Sequence, residues 1–103
     1  MELKLGLKVH DADNVATIFA EGIEKGAEIE VRDQHGQAQR IAVLNDIPYG
    51  HKVAIEDISK DTLIKKYGEE IGIASHDIVK GEHVHVHNLD SMRGRGDLEG
   101  GRK

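Results

Sequence analysis

No cysteine occurs in this 103-residue chain, so disulfide frameworks, thiolate zinc sites and iron–sulfur ligation are excluded, and any metal must be held by nitrogen or oxygen. Tryptophan is also absent and aromatic residues make up only 3% of the sequence, so the core has to be built from Val, Ile, Leu and Ala. Apolar residues nowhere run for the length of a membrane span, and Met1-Glu2-Leu3-Lys4 lacks the apolar stretch of a signal peptide. The expectation is a cytoplasmic protein with no membrane partner. An excess of basic charge is missing as well: 14 Lys and Arg stand against 19 Asp and Glu, for a formal net charge of -5. That balance argues against nucleic acid, whose phosphates need a basic field.

What remains is one modest domain. A chain of this size holds a single core, and an aliphatic core of this kind leaves stability marginal, which favours burial against a partner or a second copy. Leu5, Leu7 and Val9 alternate with polar or small residues over Lys4 to Val9 and predict a half-buried strand. Val15 to Ala20 is short, apolar and β-branched, which predicts a second. Glu28 to Arg32 and Ala38 to Leu44 flank Asp33-Gln34-His35-Gly36 and predict a hairpin whose Gly supplies a positive φ.

One short phrase recurs: Ile, two residues, Gly, two residues, then Ile, Leu or Val. It stands at Ile23 to Ile29 around Gly26, at Ile47 to Val53 around Gly50, and at Ile78 to Val84 around Gly81. A fourth copy, Ile58 to Ile64, carries Asp61 in place of Gly. An apolar anchor, a tight turn and an apolar strand start describe a chain that repeatedly folds back on itself. The reading is a mainly β, multi-turn domain over residues 1–88, followed by a flexible tail over residues 89–103 that has little to bury and contains Arg95-Gly96-Asp97.

Seven His in so short a chain are a surplus. In a strand, His83, His85 and His87 project from one face, which suits either a metal platform or a solvent-facing polar edge. His51, beside Gly50 and Lys52, is placed to bind a carboxylate or to cap its turn. His10-Asp11-Ala12-Asp13-Asn14 gathers an imidazole, two carboxylates and an amide in one bend, a set that suits a divalent cation or acid–base work as well as an ordinary turn.

Lys8 to Ala16 resembles the opening signature of the N-terminal SAF domain of the altronate and galactarate dehydratases. The resemblance continues through Ile47-Pro48-Tyr49-Gly50-His51-Lys52-Val53-Ala54, then Lys66-Tyr67-Gly68 with Ile71-Gly72, and closes on Gly81-Glu82-His83-Val84-His85-Val86-His87-Asn88. It covers nearly all of the chain before the tail, and the His-rich closing phrase resembles the altronate branch more than the galactarate one. The resemblance implies a small, barrel-like β-clip domain with little helix. It further implies a separate small subunit of a metal-dependent hydro-lyase, inactive alone, that dehydrates a sugar acid such as altronate together with a large dehydratase subunit. The related sulfolactate sulfo-lyase is the alternative, and a non-catalytic carbohydrate- or partner-binding module of the same fold is the rival from another class.

On that resemblance His10 and His51 are expected to be catalytic. Asp13, Asn14, Lys52, Lys66 and Tyr67 are expected to bind substrate, and His83, His85 and His87 to hold a divalent metal, iron or manganese, shared with the large subunit. Homo-oligomerisation is a further expectation. Two positions depart from the family pattern: Asp61 where Gly is usual, and Lys65 where an apolar residue is usual.

Overall fold

The structure is a computed structural model and describes residues 4–91. Among these residues there are nine strands and no helix: β1 (Lys4–Leu7), β2 (Val15–Ile18), β3 (Glu28–Arg32), β4 (Ala38–Ala42), β5 (Lys52–Ala54), β6 (Leu63–Lys66), β7 (Glu69–Ala74), β8 (His83–Val84) and β9 (Leu89–Ser91). Among the described residues no helix is long and apolar enough to cross a membrane. The strands form a six-stranded sheet in the order β4-β3-β1-β2-β5-β8 and a three-stranded sheet in the order β6-β7-β9. All pairings are antiparallel except β1 with β3. This is the mainly β, repeatedly doubled-back architecture that the sequence predicts.

Two aliphatic clusters make the core. Ala16, Ile18 and Val53 join Ile29, Val31 and Ile41 in one, while Val15, Ala54 and Val84 join Ile58, Ile64, Ala74 and Ile78 in the other. Neighbouring residues of β2 and β5 thus go to opposite clusters, as the two-residue period of a strand demands when both faces are covered. The hairpin forms where expected, with Gly36 at φ 82°. Strand ends are shorter than the sequence suggests. β1 stops at Leu7 and Val9 is 40% exposed, because the chain bends there into the segment held by Asp13.

The recurring phrase is the fold's joint. In each copy the third turn residue has positive φ: Gly26 at 92°, Gly50 at 83°, Asp61 at 72° and Gly81 at 96°. In each, the fourth turn residue donates its N–H to the carbonyl of the first: Ala27 to Glu24, His51 to Pro48, Thr62 to Ser59 and Glu82 to Val79, at 2.9–3.1 Å. This is the type II pattern, and Asp61 is tolerated because Asp visits the left-handed region more readily than other L-residues. The turns come in pairs, since Ile23 bridges Ile47 and Ile58 bridges Ile78. An Asp preceding the partner Ile then accepts from the turn backbone: Lys25 N–H donates to Asp46, Lys60 N–H to Asp77 and Lys80 N–H to Asp57, at 2.8–2.9 Å.

The boundary drawn at residue 88 needs correcting. Leu89–Ser91 form β9 and pair with β7, and half-buried Leu89 packs on the second core cluster, so the β domain continues to Ser91. The rest of the expected tail, Arg95-Gly96-Asp97 included, lies outside the described residues.

Candidate imidazole site

Two segments distant in sequence converge at the β8 edge of the large sheet. Register places Val53 opposite His83, and the turn before β5 delivers His51. The Nδ1 of His51 lies 2.9 Å from the Nε2 of His83, and the rings of His51 and His85 stack with centroids 4.0 Å apart. One nitrogen from each of His51, His83 and His85 falls within 4.8 Å of the others, close enough for one divalent ion to engage all three.

The backbone holding these rings is pinned by two amides. Asn45 Oδ1 accepts from His83 N–H at 3.0 Å. Buried Asn88 accepts from His85 N–H at 3.0 Å and donates to the His83 carbonyl at 2.9 Å. That second contact coils the chain after Val84, so the His-x-His-x-His run is not the continuous strand expected from its alternation. His87 consequently tilts at 44° against His83 and lies outside the three-nitrogen group, whose third member is His51. Nothing in the alternation itself could reveal this.

Electrostatics favour the neutral, ligand-ready form. Burial, then the charges of His51, His87, His85 and Lys52, holds His83 down at about 4. His85 is lowered too, by desolvation first and then by His51, Lys52 and His87. A His that resists protonation in the folded state binds fewer protons than in the unfolded chain between the two pKa values, so stability is complete above the unfolded value near 6.5 and falls as pH drops toward about 4. In metal-free protein, urea midpoints are expected to decline over this window by an amount equivalent to roughly 1–2 kcal/mol after solvent screening. The His83→Gln variant should show a visibly flatter profile; an unchanged slope would remove His83 as the cause.

Lys52 borders the cluster, and the other expected residues lie toward the β6–β7 turn. Lys52 is half-buried, with its pKa lowered by burial and then by the charge of Lys66, and no carboxylate lies within ion-pair distance of either lysine among the described residues. Lys66 Nζ sits 4.9 Å from the Tyr67 ring centroid. Tyr67 and Gly68 both have positive φ, 57° and 77°, and form the two-residue turn between β6 and β7. Gly68 is required there twice over, since a Cβ would meet the His10 ring at 2.9 Å.

His10 is exposed, and its Nδ1 accepts from Ala12 N–H at 3.0 Å, which leaves the neutral ring's proton on Nε2. Asp13 and Asn14 are buried and occupied. Asp13 accepts from Gly68, His10 and Val9 N–H at 2.8, 3.0 and 3.2 Å, while Asn14 accepts from Lys65 N–H and donates to the Leu63 carbonyl. Both tie the β6–β7 hairpin to the entry of β2. The structure therefore does not bring His10 to His51: His10 stands at the Val15 end of β2, whereas the His51 carbonyl accepts from Ile18 N–H at the other end, roughly 10 Å along the strand. Thr17 Oγ1, on the row shared with Lys52, is buried with no hydrogen-bond partner among the described residues, and no sequence pattern marks it.

The chain is similar in sequence to known proteins. Residues 4–92 match the family described as the altronate/galactarate dehydratase SAF domain. The chain is similar to the (2R)-sulfolactate sulfo-lyase subunit alpha of Chromohalobacter salexigens, with 40% identity over 88% of this chain and 99% of that protein. It is similar to the altronate dehydratase of Bacillus subtilis, with 42% identity over 84% of this chain but 16% of that protein. The galactarate dehydratase (L-threo-forming) of Escherichia coli is 38% identical over 76% of this chain and 14% of its own length.

Proposed function

From the premise that this chain belongs to the altronate/galactarate dehydratase SAF domain family, we propose that it serves as the small subunit of a two-subunit lyase and contributes imidazoles to a site completed by a larger catalytic chain. The observation that carries this reading is the convergence of His51, His83 and His85 on one point, with no carboxylate in the group. Such a cluster binds an ion or an anionic substrate group through one side only, and the remaining chemistry has to come from elsewhere.

Of the two lyase chemistries, the sulfo-lyase type has the better support. The match extends over 99% of a separate sulfo-lyase alpha subunit and over only 16% of an altronate dehydratase. Altronate dehydration stays as the second reading, on 42% identity. Both reactions take a proton from the carbon α to a carboxylate and break the bond to a β substituent, sulfite in one case and hydroxide in the other, leaving a carbon–carbon double bond that tautomerises to the keto acid.

A divalent ion fits the three nitrogens, and iron or manganese bound there would act as a Lewis acid for the charge that develops on the substrate carboxylate. With an ion bound, His51 would be its third ligand; without one, His51, whose Nδ1 lies 2.9 Å from the Nε2 of His83, is the residue proposed to move a proton. Lys52 and Lys66, with no carboxylate in ion-pair distance among the described residues, suit an anionic group, with Tyr67 beside Lys66.

The test is reconstitution. The purified chain and a separately purified large dehydratase-type subunit from the same genome are assayed alone and mixed, on sulfolactate and on altronate. Turnover is expected from the mixture and from neither part; equal turnover by the large subunit alone would end the proposal.

A further inference from the structure

We propose that the large catalytic chain docks on the surface formed by Phe19, Tyr49, Leu44 and Val86, the apolar border of the imidazole cluster; this rests on the two-subunit reading above. Aromatic residues are scarce in this sequence, three in 103, and all three, Phe19, Tyr49 and Tyr67, stand exposed while the core is wholly aliphatic. Leaving large apolar groups in water is costly for a protein with so little else to bury, and Tyr and Phe are the types that carry interface energy.

Their placement is not scattered. Tyr49, 56% exposed, lies two residues before His51, and its ring meets Phe19 edge-on at 6.1 Å. Val86, 79% exposed, lies between His85 and His87. Leu44 adjoins Asn45, whose side chain holds the His83 backbone. Each segment that supplies or fixes an imidazole thus also presents an apolar group to solvent. Tyr49 sits on a type II turn and Val86 on the segment coiled by Asn88, so both are held in place before any partner arrives, which lowers the entropy lost on docking.

Exposed apolar groups beside a half-complete polar cluster are the anatomy of an interface that seals a shared site once a partner covers them. The occupant that fits is a chain presenting an apolar depression for the Phe19–Tyr49 pair and a carboxylate-bearing or substrate-bearing centre opposite the cationic side of Lys52. Relatives in which this domain is 14–16% of one long chain show that it is built to accompany a much larger one.

The experiment measures affinity for the purified large subunit by calorimetry or sedimentation. Phe19→Ala with Tyr49→Ala is expected to weaken binding on the order of 100-fold, with circular dichroism confirming the fold. Arg40→Ala, on β4 at the opposite edge of the sheet, should leave affinity unchanged. If the double variant binds as tightly as the original chain, the docking surface is overturned while the two-subunit function survives. If the large subunit fails to bind even the unaltered chain, the function falls first. A self-dimer that the double variant dissociates would assign the face to a second copy and overturn the proposal as well.

Discussion

Replacing His51 by Ala is expected to lower turnover of the reconstituted complex by about 10²–10⁴-fold at saturating large subunit, with subunit affinity nearly unchanged. The magnitude follows from position: His51 touches both other members of the cluster, by a 2.9 Å contact with His83 and a 4.0 Å stack on His85, so its loss removes a proton-moving group and a wall of the site together. His10→Ala should cost less than about 10-fold, since its ring rests on Gly68 beyond the far end of β2 and reaches the chemistry only through the Tyr67 turn. Steady-state kinetics of both variants decide the matter. Comparable losses would restore His10 to the catalytic role suggested by the sequence, and full activity in His51→Ala would dismiss the cluster altogether.

Removing the Asp13 carboxylate should be the most damaging change to stability. Its two oxygens take three backbone N–H groups, those of Val9, His10 and Gly68, and it is only 2% exposed. Asp13→Ala orphans all three donors and unties the β6–β7 hairpin, for a loss of about 3 kcal/mol. Asp13→Asn, which keeps one good acceptor, should lose roughly half of that. Urea unfolding would show the midpoint falling with little change in slope. A midpoint unmoved in Asp13→Ala would mean that the carboxylate is not the anchor, and would return it to the pool of groups free to meet a substrate.

These two residues illustrate what a sequence can and cannot disclose. The turns were legible because each is a local event: Ile, a residue in the left-handed region and a following apolar anchor occupy seven consecutive positions, and Gly or Asp is what that backbone tolerates. The hairpin around Gly36 was legible for the same reason. By contrast, the meeting of His51 with His83 depends on the pairing of β5 with β8 across 32 residues of separation, and no local pattern encodes that register. The parallel pairing of β1 with β3 is equally non-local. His10 and His51 look alike in sequence, each in a polar bend beside a strand, yet the length of β2 keeps them apart.

Asp13 and Asn14 show a different obstacle. Polar side chains near a bend read as a binding site whenever their backbone partners are unknown, and here the partners Leu63, Lys65 and Gly68 lie 49 to 55 residues away. A partial signal did exist for the paired turns: Asp stands directly before Ile47, Ile58 and Ile78, and extending the recurring phrase by one residue would have exposed the three caps.

With no tryptophan and both tyrosines outside the core, intrinsic emission from this chain reports on its surroundings and scarcely on its folding. Tyr49 and Tyr67 are already 56% and 50% exposed, so melting the aliphatic interior changes their hydration less than it would for a core ring, whereas contact with another molecule at either ring changes their quenching directly. The molecule therefore carries its own optical probe for assembly, and the same property makes tyrosine fluorescence a poor choice for following its denaturation.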